Sequence, residues 1–405
     1  MTRPIITRTI WILSVTSLFT DIASEMLYPV MPYYLVSIGF NIAVIGLLEG
    51  LAEATAGLSK GYFGAWSDRK GIRVPFVRMG YAMSSAAKPL LALSSHTLWV
   101  FLMRTMDRLG KGVRTGARDA LLAHESTAES RAKVFGFHRS MDTAGAVLGP
   151  LLALLFLHFY PERYVALFLI AILPGIATVL STFLLKADLT PSTAQTGVSV
   201  SFSHFVNHWK EGSHDYRKLM TGLIFFALLN SSDMFLLLRA KWAGQSDETV
   251  ILLYIVYNLV YALLAYPAGW LADKLGIKLM WITGLLIFVA VYTGFAFAVN
   301  DYEYTVLFAL YGAFAACSEG ISKAWISILV RPGQTATAIG SFAGLQSLAA
   351  LVASATAGVA WTLLGSSSPF LITAAGTFVL LIYFIRLRDP HTVNGYSSGK
   401  GNPSG

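Results

Sequence analysis

Ionisable side chains recur inside segments of this chain that are otherwise apolar, and they are the residues best placed to do chemistry. The stretch from 97 to 122 is the most unusual, because basic side chains follow one another there among apolar residues and glycines. Carboxylates and cations held together out of water can bind a charged solute, exchange protons or neutralise one another. The residues of this kind in the first half are Asp21, Glu25, Glu49, Glu53, Lys88, Arg104, Asp107, Arg108, Lys111, Arg114, Arg139 and Asp142.

The composition decides what surrounds these charges. Of the 405 residues, 55% are hydrophobic and 13% are charged, whereas a soluble domain is about 25% charged. The mean hydropathy is +0.60. Apolar runs such as 250–270 and 277–299 have the length of about 20 residues that a membrane-spanning helix needs. They lack the alternation of a membrane β-barrel, and helices satisfy every backbone group in lipid. The sequence therefore predicts an all-α membrane protein.

Several classes of function are excluded by what the chain lacks. Its single cysteine, Cys317, cannot form an intramolecular disulfide or a thiolate metal cluster. No metal-spaced histidine cluster and no nucleotide-binding loop is present, so we expect no metal, no cofactor and no direct use of ATP. The first apolar stretch contains Asp21 and Glu25 and has no small-residue cleavage site, so we expect a retained helix rather than a signal peptide.

Twelve apolar segments follow one another, and we number them as spans 1 to 12. They lie near 7–36, 42–66, 74–95, 97–122, 131–158, 163–186, 217–240, 248–271, 277–299, 303–330, 335–363 and 368–387. Basic residues such as Arg69, Arg131, Lys274 and Arg331 fall in loops on the side that holds both termini. The positive-inside rule therefore predicts cytoplasmic termini in the inner membrane. The net charge of +8 reflects this topology and attraction to anionic lipid, and we expect no nucleic-acid partner.

The two halves of the chain repeat each other. The loop after span 2 reads Gly64-Ala-Trp-Ser-Asp-Arg-Lys-Gly-Ile-Arg73, and the loop after span 8 reads Gly269-Trp-Leu-Ala-Asp-Lys-Leu-Gly-Ile-Lys278. Buried charges recur at one further common spacing. Asp233 corresponds to Asp21, and Glu319 with Lys323 corresponds to Asp107 with Lys111. Three matches at similar spacings favour two related helical bundles.

The loop from Gly64 to Arg73 resembles the signature of the major facilitator superfamily, and the copy after span 8 resembles its weaker repeat. This resemblance covers essentially the whole chain and implies two pseudo-symmetric six-helix bundles. The domains are then an amino-terminal bundle 1–186, a cytoplasmic connector 187–216, a second bundle 217–387 and a disordered cytoplasmic tail 388–405. Loops at these positions latch the two halves in the family. The resemblance therefore implies a gating role for Gly64, Asp68, Arg69, Arg73 and Asp273.

A second motif bears on the direction of transport. The sequence from Gly145 to Pro150 in span 5 is similar to part of the family's antiporter motif, but the following glycine pair is absent. A small-residue packing face with a proline kink explains these residues equally well. The motif therefore favours export without excluding uptake.

Charge at membrane depth identifies the candidate site, because an ionised group there must face the bundle interior or a water-filled cavity. From a rise of about 1.5 Å per residue, Arg104 and Arg108 on span 4 lie at the depth of Glu25 and Asp21 on span 1, and we expect these four to pair. The candidates for substrate binding or proton coupling are Asp21, Glu25, Glu53, Arg104, Asp107, Arg108, Lys111, Arg139, Asp142, Asp233, Glu319 and Lys323.

These residues predict a secondary active transporter that moves a small organic solute by alternating access. We expect proton coupling, because a carboxylate that loses its arginine to the solute would gain a proton. Export is favoured, and the alternatives are proton-coupled uptake of an anionic organic solute and, less favoured, a membrane enzyme acting on lipid. We expect membrane lipid, protons and the solute as its partners, and a monomeric chain.

Overall fold

The computed structural model describes residues 5–126, 131–186, 209–330 and 335–387. Within these ranges the regular structure is helical and contains no strand, which confirms the all-α prediction. The helices of spans 1 to 6 are Arg8–Glu25 with Met31–Ser37, Ile42–Lys70, Val74–Leu90, Thr97–His124, Arg131–Phe159, and Tyr164–Ile170 with Ile172–Phe183. Those of spans 7 to 12 are His214–Leu229 with Met234–Trp242, Asp247–Leu275, Ile277–Phe297, Asp301–Leu329, Thr335–Leu364 and Ser368–Arg386.

Two of these twelve spans differ from the rest in length or polarity. Among the described residues, 10 spans are long and apolar enough to cross a membrane on their own composition. The exceptions are Val74–Leu90, which has 17 residues, and Thr97–His124, which carries too many charges. Spans 3 and 4 therefore depend on their neighbours to neutralise their polar groups, because lipid cannot do so.

Spans 1 and 7 are interrupted near their middle. In span 1 the α-helix ends at Glu25, and the chain passes through a short 3-10 turn, Tyr28–Val30, before it resumes at Met31. Prolines at 29 and 32 explain the break, since proline lacks the N–H that continues a helix. In span 7 the helix ends at Leu229 and resumes at Met234. Asp233 lies at this second break, where its backbone carbonyl accepts a hydrogen bond from the Leu236 N–H at 3.0 Å.

Glycines bring span 4 into close contact with spans 2 and 3. A Cβ atom placed on Gly110 would lie 2.6 Å from the carbonyl oxygen of Gly80 in span 3. One placed on Gly116 would lie 2.8 Å from the Cα of Gly64 in span 2. These backbones touch with no side chain between them, so the charged residues of span 4 lie close to both neighbouring spans.

The contacts of the chain divide into two units. The first contains residues 1–200 together with Ser231–Ile255 and Ala350–Leu363, and the second contains Ser201–Asn230, Val256–Ala349 and Leu364–Gly405. Parts of spans 7, 8 and 11 thus pack with the first six spans. Within the first unit, a Cβ on Gly50 would lie 2.8 Å from the Leu351 carbonyl oxygen. The domain division at 1–186 and 217–387 stays a prediction, while residues 187–208 of the predicted connector and the predicted tail 388–405 lie outside the described residues.

We expect Gly110→Ala to destabilise the protein. The added methyl group would overlap the Gly80 carbonyl, and overpacking of this kind costs about 1–3 kcal/mol. Gly340→Ala is the matched control. An added Cβ meets nothing within 4 Å there, and alanine favours a helix over glycine by up to about 1 kcal/mol. Thermal unfolding of the two purified variants in one detergent tests this, and equal unfolding temperatures would contradict the packing described.

Candidate functional site

A buried ion pair joins spans 2 and 4. The Arg104 Nε donates to Glu49 Oε1 at 2.8 Å, and Nη2 donates to Oε2 at 3.0 Å. Both side chains are almost fully excluded from solvent. This two-point geometry matches the planar guanidinium to the planar carboxylate, so each charge satisfies the other inside the bundle.

Asp107 connects spans 3 and 4. Its Oδ1 accepts hydrogen bonds from Lys88 Nζ at 3.0 Å and from Ser84 Oγ at 2.5 Å, and its Oδ2 lies 3.6 Å from Arg104 Nη1. Ser84 and Lys88 are four residues apart and so share one face of span 3. Lys88 Nζ also donates to the Ser84 carbonyl at 3.0 Å. This carboxylate is therefore neutralised by two cations at once.

The pair between Arg108 and Glu53 is looser than the other two. Arg108 Nη1 lies 3.3 Å from Glu53 Oε1, and the Arg108 side chain is buried while 43% of the Glu53 side chain is exposed. The Nε of Arg108 has no hydrogen-bond partner. A carboxylate that reaches water while it pairs with a buried arginine can exchange a proton without breaking up the bundle.

Two further cations of span 4 carry no ion pair within the part of the chain that the structure describes. Arg114 is buried, its Nε and Nη1 have no hydrogen-bond partner, and its guanidinium lies over the Tyr81 ring at 4.6 Å from the centroid. Lys111 lies one turn before it and is exposed. Within the described residues, span 4 thus presents two cations that no carboxylate pairs at contact distance.

Glu25 is held by a tyrosine rather than by a cation. Its Oε2 accepts a hydrogen bond from the Tyr254 hydroxyl at 2.6 Å, and the Tyr254 ring lies 5.4 Å from that of Tyr28. The expected pairing of Asp21 and Glu25 with Arg104 and Arg108 is therefore wrong. Matching depth in the membrane did not identify the partners of Arg104 and Arg108, because the face of span 4 that carries these arginines packs on span 2.

These side chains surround a cavity of about 520 Å³, counted with the space that is open to solvent. Its charged lining comes from spans 1, 3 and 4. The residues that line it are Ser24, Glu25, Leu27, Tyr28, Met31, Ser84, Lys88, Leu91, Arg104, Asp107, Arg108, Lys111 and Arg114.

Other predicted site residues of the first half lie away from this lining. Asp142 on span 5 lies 3.7 Å from His138 Nε2, and the His138 Nδ1 is 3.3 Å from Ser14 Oγ. Asp21 packs against span 5, because a Cβ on Gly145 would lie 2.8 Å from the Asp21 Cβ. Arg139 is exposed. Asp21 and Asp142 thus belong to the contact of spans 1 and 5 and do not line the cavity.

The second half contributes fewer charges. Glu319 on span 10 accepts a hydrogen bond from the Tyr261 hydroxyl at 2.9 Å, and Lys323 is exposed. Asp233 lies at the break in span 7 described above. None of the three lines the cavity described here.

The predicted gating loop is described only in part. Gly64 contacts Gly116, and Arg73 Nη1 donates to the Ala120 carbonyl at 3.5 Å. The side chains of Asp68, Arg69 and Asp273 lie outside the described residues.

A second polar cluster lies at the end of the first unit where spans 5 and 6 join. Asp247 accepts hydrogen bonds from the Tyr164 hydroxyl and from Lys241 Nζ, which also lies 5.4 Å from the Tyr33 ring. The neighbouring residue Glu248 pairs with His158 at 3.0 Å, and both of these side chains are exposed. The bonds to Asp247 and the contact of Lys241 with Tyr33 tie the adjoining ends of spans 7 and 8 to spans 1 and 6, whereas the exposed pair adds little.

Sequence reasoning missed Ser84 and Tyr28 in the cavity lining. It also missed Tyr81 and Tyr254 as the contacts of Arg114 and Glu25. The spacing of Ser84 and Lys88 could have identified Ser84, since a serine one turn from a buried lysine can share its carboxylate partner.

Comparison with known proteins decides the family. A model described as Major Facilitator Superfamily matches residues 13–241 and 241–404. The chain belongs to the major facilitator superfamily. An uncharacterized MFS-type transporter of Methanocaldococcus jannaschii is 34% identical over 362 residues, which cover 88% of this chain and 89% of that protein. The chain is therefore a transporter and not an enzyme, so the alternative of a membrane enzyme acting on lipid is set aside.

More distant members of the superfamily share the same architecture. A multi-drug resistance efflux pump PmrA homolog of Lactococcus lactis is 22% identical over 313 residues, which cover 75% of this chain and 76% of that protein. Among solved structures, a mutant of the nucleoside transporter NupG has a TM-score of 0.80 at 14% identity, covering 94% of this chain and all of that one. At that identity the likeness shows the fold alone. In this superfamily member, no group of His, Cys, Asp and Glu residues that could hold a metal occurs among the described residues.

We expect Glu49→Leu to destabilise this major facilitator protein by about 3–5 kcal/mol, because it leaves the Arg104 guanidinium buried without its counter-charge. The double variant Glu49→Leu, Arg104→Met should recover most of the loss, since it removes both charges. Denaturant or thermal unfolding in detergent measures both effects.

Glu248→Leu is the control for that series. It removes a carboxylate from an exposed pair with His158, and such pairs contribute about 0–1 kcal/mol. A Glu49→Leu variant as stable as Glu248→Leu, or a double variant less stable than either single one, would show that the buried pair does not hold spans 2 and 4 together.

Proposed function

We propose that the chain is a secondary active transporter that moves a small organic solute across the inner membrane by alternating access, coupled to protons. The observation that carries this proposal is the pair of Arg108 and Glu53. Its arginine lines the cavity and its carboxylate reaches water. In the pairs of Arg104 with Glu49 and of Lys88 with Asp107, both side chains are buried. The absence of a nucleotide-binding loop from the sequence leaves ion gradients as the source of free energy.

Coupling then follows from competition for Arg108. A solute that takes the guanidinium removes the positive charge that keeps Glu53 ionised, so Glu53 gains a proton. When the solute leaves, Arg108 returns to Glu53 and the proton is released. Because solute binding and proton binding each change the affinity for the other, a proton gradient can drive the solute.

Glu25 is a second candidate for a proton site. It lines the cavity and its described partner is the Tyr254 hydroxyl, a neutral group that tolerates either protonation state of the carboxylate. Asp21 and Asp142 stay candidates on the side of span 5. Arg139, Asp233, Glu319 and Lys323 are further candidates, to which the contacts given above assign no role.

The motif and the coupling proposed above support opposite directions. The residues from Gly145 to Pro150 and the efflux pump homolog of Lactococcus lactis support export. Binding of the proton and the solute together moves both the same way, so with protons entering the cell it supports uptake of an anionic organic solute. We further propose a monomer with cytoplasmic termini, in which Gly64, Asp68, Arg69, Arg73 and Asp273 belong to the cytoplasmic gate.

We propose that the cluster of Tyr164, Lys241 and Asp247 closes the opposite face. With cytoplasmic termini, the loops after spans 5 and 7 lie outside, and the cluster ties spans 6, 7 and 8 together there. Outward opening would require these bonds to break. The cluster would then act on the conformational equilibrium without touching the solute.

Proteoliposomes with a trapped pH dye test the coupling. A panel of organic solutes is added to the purified chain, and we expect at least one to drive proton movement. For that solute, Glu53→Gln should keep exchange of labelled for unlabelled solute but lose proton movement, because glutamine cannot titrate. Glu248→Gln, which removes an exposed carboxylate, should keep both. Wild-type proton movement in Glu53→Gln would exclude Glu53 as the coupling site, and a lack of flux for every solute would contradict transport.

Thiol labelling tests the outer cluster. In a Cys317→Ser background, a Ser24→Cys variant places one thiol at the cavity. We expect Asp247→Asn to speed its reaction with an impermeant maleimide added from outside, because the bonds from Lys241 and Tyr164 are weakened. Glu248→Gln serves as the adjacent control and should leave the rate unchanged. Equal rates in Asp247→Asn and its parent would remove the cluster from the gate.

A further inference from the structure

The cations of the cavity outnumber the carboxylates that pair with them. Lys88, Arg104 and Arg108 each lie within 4.0 Å of a carboxylate on span 2 or span 4. Arg114 and Lys111, which line the same cavity, have no carboxylate within that distance in the described parts of the chain. The carboxylate of Glu25 also lines the cavity, but its hydrogen bond is to Tyr254. Among the described residues, the cavity therefore holds two cations that form no ion pair at contact distance, and Asp21, Glu25 and Glu53 act on Lys111 only from farther away.

Arg114 is the more informative of the two. Only 4% of its surface is exposed, so water supplies little compensation for its charge. Its guanidinium lies over the buried Tyr81 ring, a contact that stabilises the cation. Its Nε and Nη1 are enclosed by the protein and have no hydrogen-bond acceptor.

An unsatisfied donor of a buried charged group costs more free energy than an unsatisfied donor of a neutral group. Within the membrane this cost is not relieved by lipid. A buried arginine that lines a cavity with two donors lacking acceptors, one turn from an exposed lysine, offers charge and hydrogen bonds to an oxyanion. The two closed pairs beside it, Arg104 with Glu49 and Lys88 with Asp107, do not compete for the same acceptor.

We propose that the transported solute is an organic anion, and that Arg114 and Lys111 bind its carboxylate, phosphate or sulfonate group. This inference rests on the proposed transport function and names its substrate class. Arg114 supplies its charge and a donor at Nε or Nη1, and Lys111 supplies a second, mobile charge from the exposed side. Arg108, whose Nε is also free, lies along the same lining and can take a further oxygen as the anion moves toward Glu53.

Probes that share one apolar body and differ in charge test the class. Binding of 1-naphthyl phosphate, 1-naphthalenesulfonate, 1-naphthol and 1-naphthylmethylammonium to the purified full chain in detergent is measured by calorimetry. We expect the two anions to bind more tightly than the neutral probe, and the ammonium to bind most weakly. Equal affinities across the series, or no binding by either anion at its solubility limit, would overturn the inference.

Substitutions on one helix locate the site. Arg114→Gln should weaken anion binding about tenfold or more, since a charge-assisted hydrogen bond contributes about 1.5–3 kcal/mol and 1.4 kcal/mol is tenfold. Lys111→Gln should weaken it less. Arg118→Gln is the matched control: it removes the same charge one turn further along span 4, from a residue that pairs with Asp119 and does not line the cavity. Anion affinity that is unchanged in Arg114→Gln, or lost equally in Arg118→Gln, would overturn the assignment.

Two measurements keep this test independent of folding and of transport. Circular dichroism and the unfolding temperature report whether Arg114→Gln is folded. If Arg114→Gln is not folded, Arg114→Lys is used in its place. A partial loss of affinity is then expected, because lysine keeps the charge but lacks the planar guanidinium. Binding is measured without a gradient, so a chain that binds the anions but moves no protons refutes the proposed coupling and leaves this inference standing.

Discussion

An ionised group inside a membrane protein must be neutralised where it lies, and most of the first unit can be understood from that constraint. Span 4 carries more charge than a helix in lipid can hold alone. It is surrounded by spans that supply the counter-charges: Glu49 and Glu53 from span 2, and Lys88 with Ser84 from span 3. The glycines at 80, 110 and 116 bring the backbones close enough for short side chains to meet. In these three helices, the same close packing that joins the backbones also brings the opposite charges together.

The charges differ in how completely they are neutralised, and this difference separates structural from functional candidates. The pair of Arg104 and Glu49 is buried on both sides and satisfied at two points. The pair of Arg108 and Glu53 is longer and half open to water, and Arg114 has only an aromatic face. Along span 4, a closed pair is thus followed by an open pair and then by a cation with no ion pair among the described residues. The closed pair can hold the bundle together, and the other charges can bind a solute.

The sequence was sufficient for the fold and for the helix that carries the site, but not for the partners within it. Hydropathy, the repeated loop and the lack of strand patterns predicted helical spans in two related halves. The density of charge between 97 and 122 singled out span 4. Which carboxylate meets which arginine depends on the rotation of each helix about its axis and on which helices are neighbours. The depth of a residue along its helix gives neither the rotation nor the neighbours. Arg104 was therefore assigned to Glu25, whereas it pairs with Glu49. Tyr254 shows a second limit, because a contact between residues 229 positions apart leaves no trace in local spacing.

The joining of spans 2, 3 and 4 has a consequence for motion. Backbone contacts at the glycines and the two closed pairs, Arg104 with Glu49 and Lys88 with Asp107, together join the three helices. Such a block resists internal shear, because sliding one helix by a turn would strip several buried ions at once of their partners. During a conformational change it would be carried as a rigid body, and the spacing among its positive groups would be conserved from one end state to the other. A solute held by that block would then experience the same local chemistry on both sides of the membrane, while only its route to water changed.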